Sequence, residues 1–263
     1  MAAVPVCLVA VCGSRVRGCH GSRQRLMVTN MDAIRESVEG SDLDRIHAAT
    51  TETIAARHLT FEMSDSPLVP TADEPTSRAT GYVDLGEQVI DAHIVTIFPA
   101  AGLDENSPPA ASKASGTTLY IELDSETATW DSMTYCGIGE SLVAVLYWLR
   151  SATAAVPMGG FGDYAVDVDF RNLVSDPGVD VRTGIEAGGL SETVLQAQVH
   201  LDEQGLIADI AMVLPERILP DGLRVDPRVL ALSLARSAPR TVVLPANATR
   251  MSVEEFTDRL AED

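Results

Sequence analysis

The chain has 263 residues, 46% of them hydrophobic, and a formal net charge of −19. That length holds one large domain or two small ones with a substantial core, and no apolar run approaches the roughly 20 residues that a membrane-spanning helix needs. An acidic surface of this size repels phosphate backbones, which excludes nucleic acid as a natural partner.

The first stretch, "MAAVPVCLVAVCGSRVRGCHG", is almost wholly apolar from Ala3 to Cys12. Residues 1–26 hold Arg15, Arg17, Arg23 and Arg25 and no acid, which leaves 15 basic against 38 acidic residues in the rest, a net of −23. An apolar run closing on cysteine is the pattern of a bacterial lipoprotein signal, with Cys12 the lipidated residue. Yet the basic start is missing, and Val11 stands where a small residue is expected. Two accounts follow: the stretch is the tail of a signal, or translation starts near Met27 or Met31. Under either, residues 1–30 are expected to be unstructured and residues 31–263 to form a single domain. Cys7, Cys12 and Cys19 fit no zinc spacing, and Cys136 is alone in the body, so no disulfide can form within it. Lysine occurs once, at Lys113.

A short helical turn, "MDAIRESVE", is expected to end at Gly40, followed by a helix over "SDLDRIHAATTETIAARH" capped by Ser41, with Ile46, Thr50 and Ile54 on one face. The period then changes to two. Leu59, Phe61 and Met63 alternate with polar residues as a half-buried strand requires. "RATGYVDLGEQVIDAHIVTIF" reads as a hairpin around "DLGE", and the Pro/Ser/Ala-rich residues 99–116 as a long loop. "TTLYIEL" alternates again and precedes a turn at "DSET" before Trp130. "GESLVAVLYWLRSATAA" predicts a helix with Leu142, Val145, Leu146 and Leu149 along one face. "YAVDVDF" is a strand, residues 172–189 a mixed loop or short helical region, and residues 195–214 the clearest hairpin, turning at "DEQG". In it Leu195, Ala197, Val199 and Leu201 face one side, and Ile210, Met212 and Leu214 continue the apolar alternation. "RVLALSLAR" suits a strand or a short helix, "PRTVVLP" a strand, and "MSVEEFTDRLA" a helix capped by Ser252. Short turns between strands, with helices at one end and in the middle, predict an α+β fold with a mainly antiparallel sheet.

No pattern along the chain assembles a catalytic group. His20, His47, His58, His93 and His200 form no close ligand pair. "GIGES" around Ser141 lacks the second glycine of a nucleophile elbow, because Val143 stands there. Asp167 and Asp169 share a strand face with Asp163, as metal or sugar-transfer carboxylates would, and equally as a wetted face would. "MGGFG" lacks the lysine and hydroxyl of a phosphate loop, and "NAT" at 247–249 is too short a match to a glycosylation site to count. No enzyme activity, metal or cofactor is expected.

The order of elements is itself a pattern. "ARHLTFEMS", "ATGYVDL", "TTLYIELDSETATWDSM" with Tyr120 and Trp130, "DYAVDVDF", then "AQVHLDEQGLIADIAMVLPE" carrying Val199, Leu201, Asp202, Gly205, Leu206 and Ile210, and finally the stretch from Pro245 to Phe256, follow one another. Over residues 32–263 this resembles the actinobacterial LppX/LprG lipoproteins, relatives of the LolA carrier fold. The resemblance implies an incomplete antiparallel barrel, a half-barrel wrapped around helices. It also implies non-enzymatic carriage of a lipid or other hydrophobic ligand in an apolar cavity between sheet and helices, and a cell-envelope location, with a cytoplasmic one if translation starts near Met27 or Met31. Residues that would line the cavity are Leu59, Phe61, Met63, Leu142, Leu146, Leu149, Ile210, Met212 and Leu214. The same side chains suit a core packed shut, in a protein-interaction module of the same fold. Tyr147 and Trp148 are bulky enough to plug the space, and the loop at 99–116 has no family counterpart.

Overall fold

The computed structural model describes residues 39–69, 75–97, 104, 109–116, 118–124, 129–134, 143–173, 179–219, 222, 224–252 and 255. Helix α1 (Glu39–Ala55) is followed by strands β1 (His58–Pro67), β2 (Thr76–Asp84), β3 (Val89–Ile97), β4 (Ala110–Ser115), β5 (Thr118–Asp124) and β6 (Thr129–Thr134). Then come α2 (Ala144–Trp148), a 3₁₀ turn at Leu149–Ser151, β7 (Ala152–Pro157) and β8 (Asp163–Asp169). After α3 (Val181–Ala187) the chain forms β9 (Val194–Leu201), β10 (Ile207–Leu214), β11 (Arg217–Ile218), β12 (Arg224–Val225), β13 (Arg228–Arg236) and β14 (Thr249–Arg250).

Among the described residues, twelve strands make one sheet in the order β14-β6-β5-β4-β3-β2-β1-β13-β10-β9-β8-β7, while β11 and β12 form a separate ribbon. Two meanders, β1 to β6 and β7 to β10, are joined through β13, which lies between β1 and β10. Every pair within the large sheet is antiparallel except β14 with β6. β7 and β14 are its two ends, so the sheet does not close: the fold is the α+β open half-barrel that the sequence predicts.

The strand period sorts side chains by face. Leu234, Phe61, Gly81, Ala92, Ser112 and Ile121 stand in one register row on the inner face, and Tyr164, Val199, Ile210, Leu232, Met63, Ala79 and Ile94 in the next. Helix α1 packs chiefly on β7 and also on β10, with α2 and the 3₁₀ turn beside it. Its buried stripe is Ile46, Ala49, Thr50 and Thr53, and the two threonines satisfy their hydroxyls on the carbonyls four residues back.

Several sequence expectations need correction. Helix α1 runs through Gly40 and Ser41, so Ser41 is inside the helix and is not its cap. A single glycine costs a helix only about 1 kcal/mol, less than the packing of the stripe returns. The helix ends at Ala55, Arg57 takes a left-handed φ of 64°, and His58 is already strand. Residues 110–115, read as loop, are β4: its Ala and Ser side chains have weak strand propensity, and their partners on β3 and β5 decide the matter. Of the helix expected over 139–155, residues 139–142 lie outside the described residues, Ala144–Trp148 is helical, and Ala152–Pro157 is the strand β7. Residues 143–149 are all buried, so no exposed face exists for an amphipathic pattern to mark. "PRTVVLP", expected as a strand, joins no strand pair. "RVLALSLAR" is strand β13.

Candidate ligand-binding interior

Eight of the nine side chains expected to line a cavity come together. Leu59, Phe61 and Met63 from β1, Ile210, Met212 and Leu214 from β10, and Leu146 and Leu149 from the α2 region belong to one apolar cluster, each at most 6% exposed. Leu142 lies outside the described residues. The residues that join the two strand groups are Leu230 and Leu232 of β13, in register with both β1 and β10, and Leu234, in register with Phe61 of β1. Sequence reading missed them because that segment suited strand or helix equally, although its alternation carries the signal. Ile207 N–H donates to Thr53 Oγ1 at 2.9 Å, which pins α1 to the start of β10.

Tyr147 and Trp148 are buried in the same cluster. Trp148 meets Phe170 edge to face, with centroids 5.3 Å apart, and its indole N–H has no hydrogen-bond partner. Thr96 Oγ1, on the inner face of β3, is also buried without a partner. Between Phe61 and Ile121 the inner row narrows to Gly81, Ala92 and Ser112. Gly81 is required there: a Cβ would run into the Asp91 carbonyl and the Ala92 backbone and stand 3.0 Å from the Phe61 ring.

At the other end of β1 the inner face turns polar. Asp65 and Arg228 continue the parity of Met63 and Leu230, and Arg228 Nε donates to Asp65 Oδ1 at 2.6 Å. The same guanidinium reaches the Pro75 carbonyl at 2.9 Å.

The outer face of the β2–β6 half carries a strap. After β13, Ser237 N–H donates to the His58 carbonyl, and the Arg240 guanidinium lies 4.4 Å over the Tyr82 ring. Lys113 donates to the Val243 carbonyl at 2.7 Å and sits 5.7 Å from the Trp130 ring, before β14 pairs with β6. His58 Nδ1 lies 2.9 Å from Tyr82 Oη, beside Asp84. Burial pushes the Asp84 carboxyl up, but the N–H groups of Glu87 and Gly86, with His58 and Arg57 nearby, hold it below the usual range.

The other candidates do not converge. His47 Nε2 meets the Ala152 carbonyl at 3.1 Å, His200 Nδ1 meets Asp163 Oδ1 at 2.7 Å, and His93 is exposed. Both oxygens of Asp169 are taken by the Arg171 fork at 2.8 and 2.7 Å, with Asn172 adding a third donor. The Arg171 side chain is the main reason its carboxyl lies low. Among the described residues no three His, Cys, Asp or Glu side chains gather to hold a metal ion, and no helix is long and apolar enough to cross a membrane. His20, Ser141 and Cys12 lie outside the described residues. Ser252 Oγ accepts from Glu255 N–H at 3.1 Å, and its own N–H donates to Glu255 Oε2 at 2.7 Å, the reciprocal bonds of a capping box; the rest of the helix expected there lies outside the described residues.

No protein-family model matches the chain, and no curated protein does. Among solved structures, the lipoprotein LppX of Mycobacterium tuberculosis is similar with a TM-score of 0.39 and 13% identity, covering 75% of this chain and 98% of that one. A lipoprotein-sorting domain of the outer membrane type from Vibrio parahaemolyticus gives a TM-score of 0.32 and 5% identity, covering 85% and 99%. A beta-barrel-like protein of unknown function from Brucella abortus gives 0.21 and 9%, covering 68% and 95%. Likenesses this distant transfer neither residues nor ligands.

Proposed function

We propose that this chain binds and carries a lipid or other hydrophobic ligand, without covalent chemistry, between its sheet and its helices. The supporting observation is the inner face itself. One register row runs from Tyr164 on β8 to Ile94 on β3 and the next from Leu234 on β13 to Ile121 on β5, with Ser112 their one polar side chain, yet the helices pack mainly against the β7 and β10 side. Toward β2–β4 the face mixes small side chains, Ala79, Gly81, Ala92, Ser112 and Ala114, with the larger Val83, Ile90 and Ile94. An apolar wall with small residues set into it, beside a bulky apolar cluster, suits an acyl chain, which needs an apolar concavity and few polar groups. On this reading the protein works in the cell envelope, attached through lipidation of Cys12.

A second reading also has an observation in its favour. The eight lining residues are each at most 6% exposed, as in a core packed shut, which would suit a protein-interaction module of the same fold. A carrier with this interior must open by moving α2 and its neighbours off the sheet.

The experiment that separates them is organic extraction of the full chain, purified from an actinobacterial host, followed by mass spectrometry. The expected result is one lipid class in near-stoichiometric amount. A blank extract, together with a melting temperature that added lipids leave unchanged, overturns carriage in favour of the closed module.

A further inference from the structure

Among the described residues, Arg217 makes no salt bridge. It follows β10 by three residues, pairs in register with Val225, and its Nε is buried with no hydrogen-bond partner. Its one hydrogen bond is long, 3.5 Å from NH1 to the Pro215 carbonyl. Its chain neighbour Glu216 is held by Arg224 at 2.5 Å, and Asp65 by Arg228 at 2.6 Å. Burial pushes the Arg217 guanidinium below its ordinary pKa. Asp65 attracts it, and Arg228 is close enough to repel it. A guanidinium stays charged in a protein, so five donors are retained there with little to accept them. Two guanidiniums thus share one carboxylate in a chain whose net charge is −19.

The position of the pair gives the cluster its meaning. Arg228 ends the inner row of β13, directly after Leu230, between Pro67 of β1 and Leu214 of β10. The segments leaving β1 and β10 carry exposed apolar side chains, Leu68, Val69 and Ile218. A basic pair thus terminates an apolar face and is flanked by exposed apolar groups, the order of charge and grease found along an anionic amphiphile.

We propose that Arg217 and Arg228 bind the phosphate or carboxylate group of an anionic amphiphile whose chain runs past Met63 toward the small side chains at Ala79 and Gly81. This rests on the carrier reading above. Arg217 supplies the free fork, and Arg228 adds charge while Asp65 holds it in place.

The test is calorimetric titration of the full chain with oleate, with its uncharged counterpart oleyl alcohol, and with inorganic phosphate. Oleate is expected to bind about tenfold more tightly than oleyl alcohol. Arg217→Met should erase most of that preference, and Arg217→Lys restore part of it. Because Arg217 holds no carboxylate, the Met variant is expected to melt with the parent. Should it fail to fold, the parent chain alone decides: raising salt from about 20 to about 500 mM should weaken oleate and leave oleyl alcohol unchanged. Equal affinity for both amphiphiles overturns the anion site and leaves carriage standing. Binding of phosphate, abolished by Arg217→Met, with no binding of either amphiphile, upholds the anion site for a free oxyanion and overturns carriage. No binding of any probe overturns both.

Discussion

Strands β7–β10 and strands β2–β6 bury the same face of one sheet by different means. The first group brings bulky side chains, Val166, Val168, Leu195, Val199 and Ile210, and sets helices on them. The second sets Ala79, Gly81, Ala92, Ser112 and Ala114 among Val83, Ile90, Ile94 and Ile121 on its inner side, and on its outer side is crossed by the segment from Ser237 to Thr249. Stability on the helix side therefore comes from apolar area and close packing. On the strapped side it depends more on cross-strand polar and aromatic contacts, each worth about 1 kcal/mol or less. A sheet face can thus be fixed from either side, and only the side with small inner residues leaves width for something else.

That contrast can be broken from the helix side first. Leu146→Ala should cost about 2–5 kcal/mol in chemical denaturation, since the side chain is fully buried. Ala92→Leu, on the small-residue side, should cost less, about 1–3 kcal/mol from overpacking. Under the carrier reading it should also lower the lipid recovered by extraction, whereas Leu146→Ala should not be selective in that way. Removing everything after Arg236 should speed amide exchange in β5 and β6 by about tenfold or more while β9 and β10 keep their protection. Uniform loosening of both groups would refute the division.

Smaller effects sharpen it. Arg240→Ala removes the cation over Tyr82 and the contact with Asp91 at 3.5 Å, and should cost about 1 kcal/mol. The least is expected from pH. The Asp169 carboxyl is held low in the folded chain, chiefly by the Arg171 side chain. Its contribution is therefore present above the ordinary carboxylate pKa near ~3.9 and is lost as pH falls through the folded value. Asp169→Asn should flatten the acid limb of the stability curve below about pH 4 and leave its slope near neutrality alone. A change confined to neutral pH would contradict the assignment.

The sequence revealed most where alternation was strong. β1, β2, β8, β9 and β10 follow directly from Leu59-Phe61-Met63, the "DLGE" turn and the 195–214 hairpin, and with them most of the inner face. It was silent where residues are small or buried all round. β4 is built of Ala, Ser and Lys and has no apolar contrast to read, although its edges are set by β3 and β5. The α2 region is apolar on every side, so its length could not be judged from a face. The Arg217 site was illegible for another reason: nothing in "ERILPDG" shows that Glu216 turns to Arg224 and not to Arg217.

The strap also dictates when this protein can finish folding. β13 must enter between β1 and β10, and β14 must reach the far end of the sheet beside β6, seven strand positions away from β13. At roughly 4.8 Å per strand that is about 34 Å, nearly the full reach of the residues between them. Until residues 228–250 have been synthesised, β1, β10 and β6 are bare edges with one apolar face behind them, the condition in which chains pair with the wrong neighbour. A polypeptide wired in this way gains nothing from early local structure. It is best kept unfolded until its last segment is free, so any defect in that segment should show itself first as aggregation of the newly made chain.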